Sequence, residues 1–237
     1  MFELNYSKIN AYLFCNYLYK FIYIDGNYTK HNRKTSFGLS IHKALKEFGT
    51  KRLGIDRLLN SYEENWCNYG YSNGQEMMDY YYKGVDILKK FYEYEIKKKS
   101  TILYCEDSFD IDIGEDFVLK GTVDRIDKND DGSFNVIDYK LGLEENGEGI
   151  VKNNLQLSIY AFGVSKKYSV RVKNLKYYFV SNLKEVEAEY MGEENLLSFI
   201  KDCGKKMRDS VFEKKGRCSI CLAKDICQFS DFKLNKI

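Results

Sequence analysis

The 237-residue chain sets 37 lysines and arginines against 35 aspartates and glutamates, a formal charge of +2, with 44% hydrophobic and 30% charged residues. That balance fits a globular protein with one well-buried domain. It contains no apolar run of the about 18 residues a membrane span needs, and no global positive field that by itself announces a nucleic-acid partner. The opening MFELNYSKIN lacks the basic-then-apolar order of a secretory signal, so the expected location is the cytoplasm. Proline is absent, which leaves turns to glycine and asparagine.

From the N-terminus, residues 6–24 have the apolar spacing of a helix, with Ser7 as N-cap; Cys15 on it reads, by itself, as a small buried apolar residue. His31 lies in a polar stretch and is expected at the surface. Residues 36–48 predict a helix capped by Ser36, with Ile41, Leu45 and Phe48 on one face and His42 beside them. Residues 52–98 read as helical with a break near 68–73, and their aromatic stripe is expected in the core. A strand follows over 101–113, in which Glu106 alternates in step with Ile102 and Tyr104 and is expected to face inward. Beyond residue 140 come a polar, glycine-bearing loop over 141–153, a helix over 153–168, a strand over 175–183 and a long helix over 193–213. In the helix, Leu155, Ile159 and Phe162 take the buried side, while Gln156 and Tyr160 share another face. The lysine runs at 97–99, 166–167 and 205–206 each read as solvated surface.

The stretch from Phe117 to Lys140 carries the chemistry. It predicts two strands joined by an Asp131-Gly132 turn. Asp124 falls on the first strand, and Asp138 and Lys140, two residues apart, share a face of the second. A carboxylate inside an apolar strand needs compensation, and a divalent cation shared by two carboxylates provides it. Such a cation with a lysine alongside suits phosphodiester hydrolysis. Asp127, Asn129, Asp131, Gly132 and Asp138 also match part of an EF-hand calcium loop, but the flanks alternate as strands where that loop requires helices.

Near the C-terminus, Cys218, Cys221 and Cys227 are spaced two and five residues apart in RCSICLAKDIC. In a reducing compartment this spacing points to metal rather than to disulfides. Zinc sites usually bring ligands in two local pairs, and no second Cys-x-x-Cys is present. Cys67, Cys105 and Cys203 lack partners at ligand spacing and are expected to be buried small residues.

GTVDRID at 121–127, VIDYKLG at 136–142, FGLSIH at 37–42 and LQLSIY at 155–160 together resemble the PD-(D/E)XK nuclease superfamily, specifically its RecB-like branch. Leu141 departs from the pattern, since a threonine usually stands between the lysine and the glycine. The resemblance implies an α/β restriction-endonuclease-like core, an αβββαβ mixed sheet flanked by helices, in a single domain over 1–237 with a helical insertion at about 52–98. It implies a metal-dependent DNA exonuclease in which His42, Asp124 and Asp138 bind Mg²⁺ or Mn²⁺ and Lys140 acts on the attacking water. Gln156 and Tyr160 would border the site and contact nucleic acid or the lysine, and an acidic residue near Glu106 can assist the centre; a surface carboxylate there is the equal alternative. One cysteine before the core and three after it resemble the iron-sulfur members of the branch. That assigns a [4Fe-4S] cluster to Cys15, Cys218, Cys221 and Cys227 in the C-terminal segment 218–227 and the N-terminal helix, with Asn16 where proline is common and structural zinc as the alternative. The implied partners are DNA, as single strands or duplex ends, and a helicase in repair or recombination. A CRISPR-associated exonuclease working with an adaptation partner is the close competitor. A non-catalytic nucleic-acid-binding module is the rival from another class.

Overall fold

Apolar-polar alternation between Thr101 and Lys140 makes strands of the middle of the chain, and the computed structural model describes residues 1–27, 32–51, 54–98, 101–142, 154–209, 212–215, 217–221 and 223–230. His31 and most of the loop expected at 141–153 lie outside them. The chain divides into two compact units, one of residues 1–30, 110–120 and 193–237, the other of 31–109 and 121–192.

β2 (Thr101–Gly114) pairs with β3 (Phe117–Lys128), and within the larger unit β3 runs antiparallel to β4 (Phe134–Lys140). Gly132, at φ +80°, takes the left-handed position of the connecting turn. β4 is parallel to β5 (Val172–Phe179), and β6 (Lys184–Ala188) closes the edge antiparallel to β5. A parallel pair needs a crossover, which α6 (Leu155–Tyr168) supplies. Nine of its 14 residues are buried, as in a helix covered on nearly every side. On the opposite face of the sheet, α3 (Arg33–Lys51), α4 (Ile55–Glu64) and α5 (Gly74–Glu95) pack Ile41, Leu45, Leu58, Tyr62, Leu88 and Phe91 against Ile137, Tyr139 and Tyr178. The order α3, β2, β3, β4, α6, β5 is the expected α/β arrangement of a mixed sheet flanked by helices. The aromatic stripe of the helical segment is largely core, with Tyr82 an exposed exception.

In the smaller unit, β1 (Phe2–Leu4) lies parallel to Phe117–Leu119. α7 (Glu193–Arg208) buries Leu196, Ile200, Cys203 and Met207 on one stripe, and Gly204 lets Leu4 and Phe117 approach it closely. N- and C-terminal segments meet here: the Tyr17 and Phe229 rings stand 4.0 Å apart, and Lys215 Nζ donates to the Leu13 carbonyl at 3.3 Å.

Several local expectations are corrected. The first helix, α1 (Tyr6–Phe14), is capped by Asn5, whose side chain accepts the Lys8 N–H at 2.8 Å, so Ser7 lies inside the first turn. It breaks at Cys15, where the backbone turns extended, before α2 (Asn16–Tyr19) and a π-helical turn to Ile24. α3 begins three residues before Ser36, which is buried within it, because Asn32 accepts the Lys34 and Thr35 N–H groups. The last helix ends at Arg208 rather than 213. Cys203 is buried as expected, whereas Cys67 and Cys105 are half-buried. The lysine runs lie at the surface as expected, with Lys97, Lys166, Lys167, Lys205 and Lys206 exposed, whereas Lys98 is half-buried between Glu95 and Glu185.

Candidate active site

The β3–β4 ladder ends at the pair Arg125–Ile137. One residue further, the strands part, and the Asp124 side chain takes over from the missing backbone partner: its Oδ2 accepts the Tyr139 N–H at 2.8 Å. Alternation turns Asp138 and Lys140 to the α6 side, opposite Ile137 and Tyr139. α3 brings His42, whose Nδ1 lies 3.6 Å from Asp124 Oδ2. β2 brings Glu106. One ligand atom each from His42, Glu106 and Asp124 lies within 4.8 Å of the others.

Asp138, 2% exposed, is held from two sides. Gln156 Nε2 of α6 donates to Oδ1 at 2.8 Å, and Lys140 Nζ stands 2.6 Å from Oδ2. Lys140 also donates to Gln156 Oε1 at 2.9 Å, and Tyr160 Oη lies 3.1 Å from Gln156 Nε2. Both ends of the buried Gln156 amide are therefore committed inside the protein. Of the two contacts the resemblance allowed for it, the geometry supplies the one to the lysine.

The electrostatics are those of anions crowded together. Burial, reinforced by Asp124, pushes the Asp138 carboxyl up to about 6 against the pull of Lys140, and burial and Asp124 likewise raise Glu106. Burial works against charge on His42, yet Asp124, Asp138 and Glu106 raise its pKa. The Lys140 ammonium is the counter-charge at Asp138 Oδ2. An imidazole nitrogen and two carboxylate oxygens within reach of one point fit a divalent cation, and the imidazole favours Mn²⁺ over a purely oxygen-bound Mg²⁺.

Without metal, folded Asp138 holds a proton that the unfolded chain releases, so its contribution to stability is full below its ordinary value of 3.8 and is lost as pH rises to about 6; the raised Glu106 and His42 act in the same sense, His42 above its ordinary 6.5. Metal binding displaces the same protons. The increase in melting temperature on adding Mn²⁺ is expected to grow from pH 5.5 to 7.5; an increase independent of pH would contradict it.

His42, Asp124, Asp138, Lys140, Gln156 and Tyr160 thus all come to one fork. Asp138 is outside the tight donor group, because Gln156 and Lys140 hold its carboxylate, whereas Glu106 is inside it. Glu106 does not get there by simple alternation. Tyr104 is exposed and stacks on Tyr168, and Glu106 has φ +51°, an uncommon backbone for a glutamate. Leu141, where the pattern expects threonine, packs against the core and gives its carbonyl to Ser181 Oγ at 2.7 Å. The calcium-loop residues are otherwise engaged: Asp127 pairs with Arg125, and Asp131 with Ser133 and Lys173.

In the smaller unit, Cys15, Cys218, Cys221 and Cys227 line one cavity walled by Phe14, Leu18 and Phe21. Burial raises the Cys221 thiol, and Cys15, Cys227 and Cys218 add to the effect although the Ala223 N–H opposes it. Four thiols in an apolar pocket fit a thiolate-ligated metal centre.

A family model described as the PD-(D/E)XK nuclease superfamily matches residues 3–228. The chain belongs to that superfamily, a class of metal-dependent nucleases. Matches among solved structures include the crystal structure of SSO0001, 19% identical over 80% of this chain and 83% of that one, at a TM-score of 0.43. No curated protein matches. No helix among the described residues is long and apolar enough to cross a membrane.

Proposed function

We propose that the protein is a DNA exonuclease whose single domain hydrolyses phosphodiester bonds at the fork of β3 and β4. The observation that carries this reading is the close grouping of His42, Glu106 and Asp124 beside the Lys140–Asp138 pair. A divalent ion bound there would supply a Lewis acid for the scissile phosphate and acidify a water. His42, Glu106 and Asp124 would hold it, with Asp138 Oδ2 as a further donor. Lys140, kept in place by Asp138 and Gln156, orients the attacking water and offsets charge developing on the phosphate. Water oxygen bonds to phosphorus as the bond to the leaving strand breaks, and the proton passes to solvent. Tyr160 steadies Gln156 from the next turn of α6.

The same proposal places a [4Fe-4S] cluster on Cys15, Cys218, Cys221 and Cys227, with zinc as the alternative. Supporting it are the shared cavity and the meeting of the two chain ends around it.

Linear single-stranded, linear duplex and circular DNA, each with Mn²⁺, with Mg²⁺ or with a chelator, test the activity. Short products from linear DNA, intact circles and no reaction with chelator are expected. Cut circles would overturn the exonuclease reading, and inertness towards every substrate with either metal would overturn the nuclease reading.

A further inference from the structure

On the face of the sheet covered by α5, behind the metal site, lies a charge that hydrolysis does not use. Arg125 is 1% exposed and heads the fully buried side chains by size. Its Nε and Nη2 grip both oxygens of Asp127 at 2.6 and 2.8 Å. Nη1 reaches Glu95 Oε2 of α5 at 2.7 Å and the Tyr139 hydroxyl at 3.3 Å. Glu95 Oε1 takes Lys98 at 2.8 Å, Lys98 pairs with Glu185, and Glu185 holds Lys176 at 2.9 Å. Three cations and three carboxylates alternate, so the network is neutral as its burial requires.

Tyr139 is where this network meets the site. Arg125 holds its hydroxyl from behind. Its ring stands edge-on to the His42 imidazole, centroids 6.2 Å apart at 79°. Its N–H is the donor to Asp124 Oδ2, and its neighbours in β4 are Asp138 and Lys140. Because the β3–β4 ladder has already ended at Arg125, no backbone rung fixes Asp124 against Asp138.

We propose that Arg125 is a positioning residue of the metal site: by tying Tyr139 to Asp127 and Glu95, it sets how far β4 stands from β3 at the fork, and hence where Asp124 meets His42. The inference rests on the metal-site reading above. Groups that orient metal ligands from behind typically govern affinity by about 10–100-fold.

The test uses the full-length protein and titrates Mn²⁺ calorimetrically, alongside thermal melting and kcat and KM on linear DNA. Tyr139→Phe removes one hydroxyl and keeps the ring and the backbone donor; Arg125→Lys keeps the charge and loses the fork. Expected are folded variants in which Mn²⁺ affinity falls about fivefold for Tyr139→Phe and about 10–100-fold for Arg125→Lys. At limiting Mn²⁺, kcat should fall in step, KM for DNA should hold, and excess Mn²⁺ should restore most of kcat. Wild-type Mn²⁺ affinity in folded Tyr139→Phe overturns the proposal, and that variant decides alone if Arg125→Lys does not fold. Asp124→Asn in the same titration separates the two claims. Wild-type binding there sinks the site itself, whereas lost binding with a normal Tyr139→Phe sinks only the positioning role.

Discussion

Lys140→Ala should lower kcat on linear DNA by about a thousandfold while Mn²⁺ still binds, a loss of about 4 kcal/mol of transition-state stabilisation. Lys140 Nζ is the only ammonium among the described residues that touches Asp138, and it reaches the site from the strand that carries that carboxylate. Removing it takes away the group proposed to orient the attacking water and the nearest counter-charge of buried Asp138, so Asp138 should also titrate higher than about 6. Asp124→Ala should behave differently. It removes a donor, the partner of the Tyr139 N–H and the neighbour of His42 together, so metal binding and cleavage should both go. Steady-state kinetics on the two variants, with melting curves to show that they fold, check this; Lys140→Ala cleaving at the wild-type rate would remove the lysine from the mechanism.

Cys221→Ser should produce the largest change in stability. A metal centre joining Cys15 to Cys218 closes a loop of about 200 residues, for which the chain-entropy argument used for disulfides gives about 5 kcal/mol, comparable with the whole stability of many domains. The N- and C-terminal segments already touch through Tyr17, Phe229, Leu13 and Lys215, so the centre would lock an arrangement the fold has prepared. Anaerobically purified protein should be brown with broad visible absorption, and Cys221→Ser colourless and far more easily unfolded by urea. A colourless wild-type protein containing zinc would replace the cluster with the zinc alternative. A variant as stable as the wild type would remove the staple altogether.

The β3–β4 hairpin and α6 were legible because strict alternation and helical spacing are local properties that tertiary contacts here leave intact. Asp138 and Lys140 share a face for the same reason. Glu106 was legible only as one of two equal alternatives, since its place in the donor group goes with a left-handed backbone at one residue of β2, which alternation cannot anticipate. The Arg125 network was missed for a different reason. Arg125 and Asp127, two apart on one strand, share a face by alternation, but Glu95, which completes the network, comes from a helix 30 residues earlier in the chain and meets them only in the tertiary fold. The helix caps erred by a few residues because Asn5 and Asn32, not the nearby serines, sit where the first N–H groups need an acceptor.

Crystals soaked in Mn²⁺ and measured at the manganese absorption edge give the most direct test. An anomalous peak bounded by His42 Nδ1 or Nε2 and the carboxylates of Glu106 and Asp124, with Lys140 beside it, is the predicted result. A fork without a peak, in protein that nonetheless cleaves DNA with Mn²⁺, would contradict it.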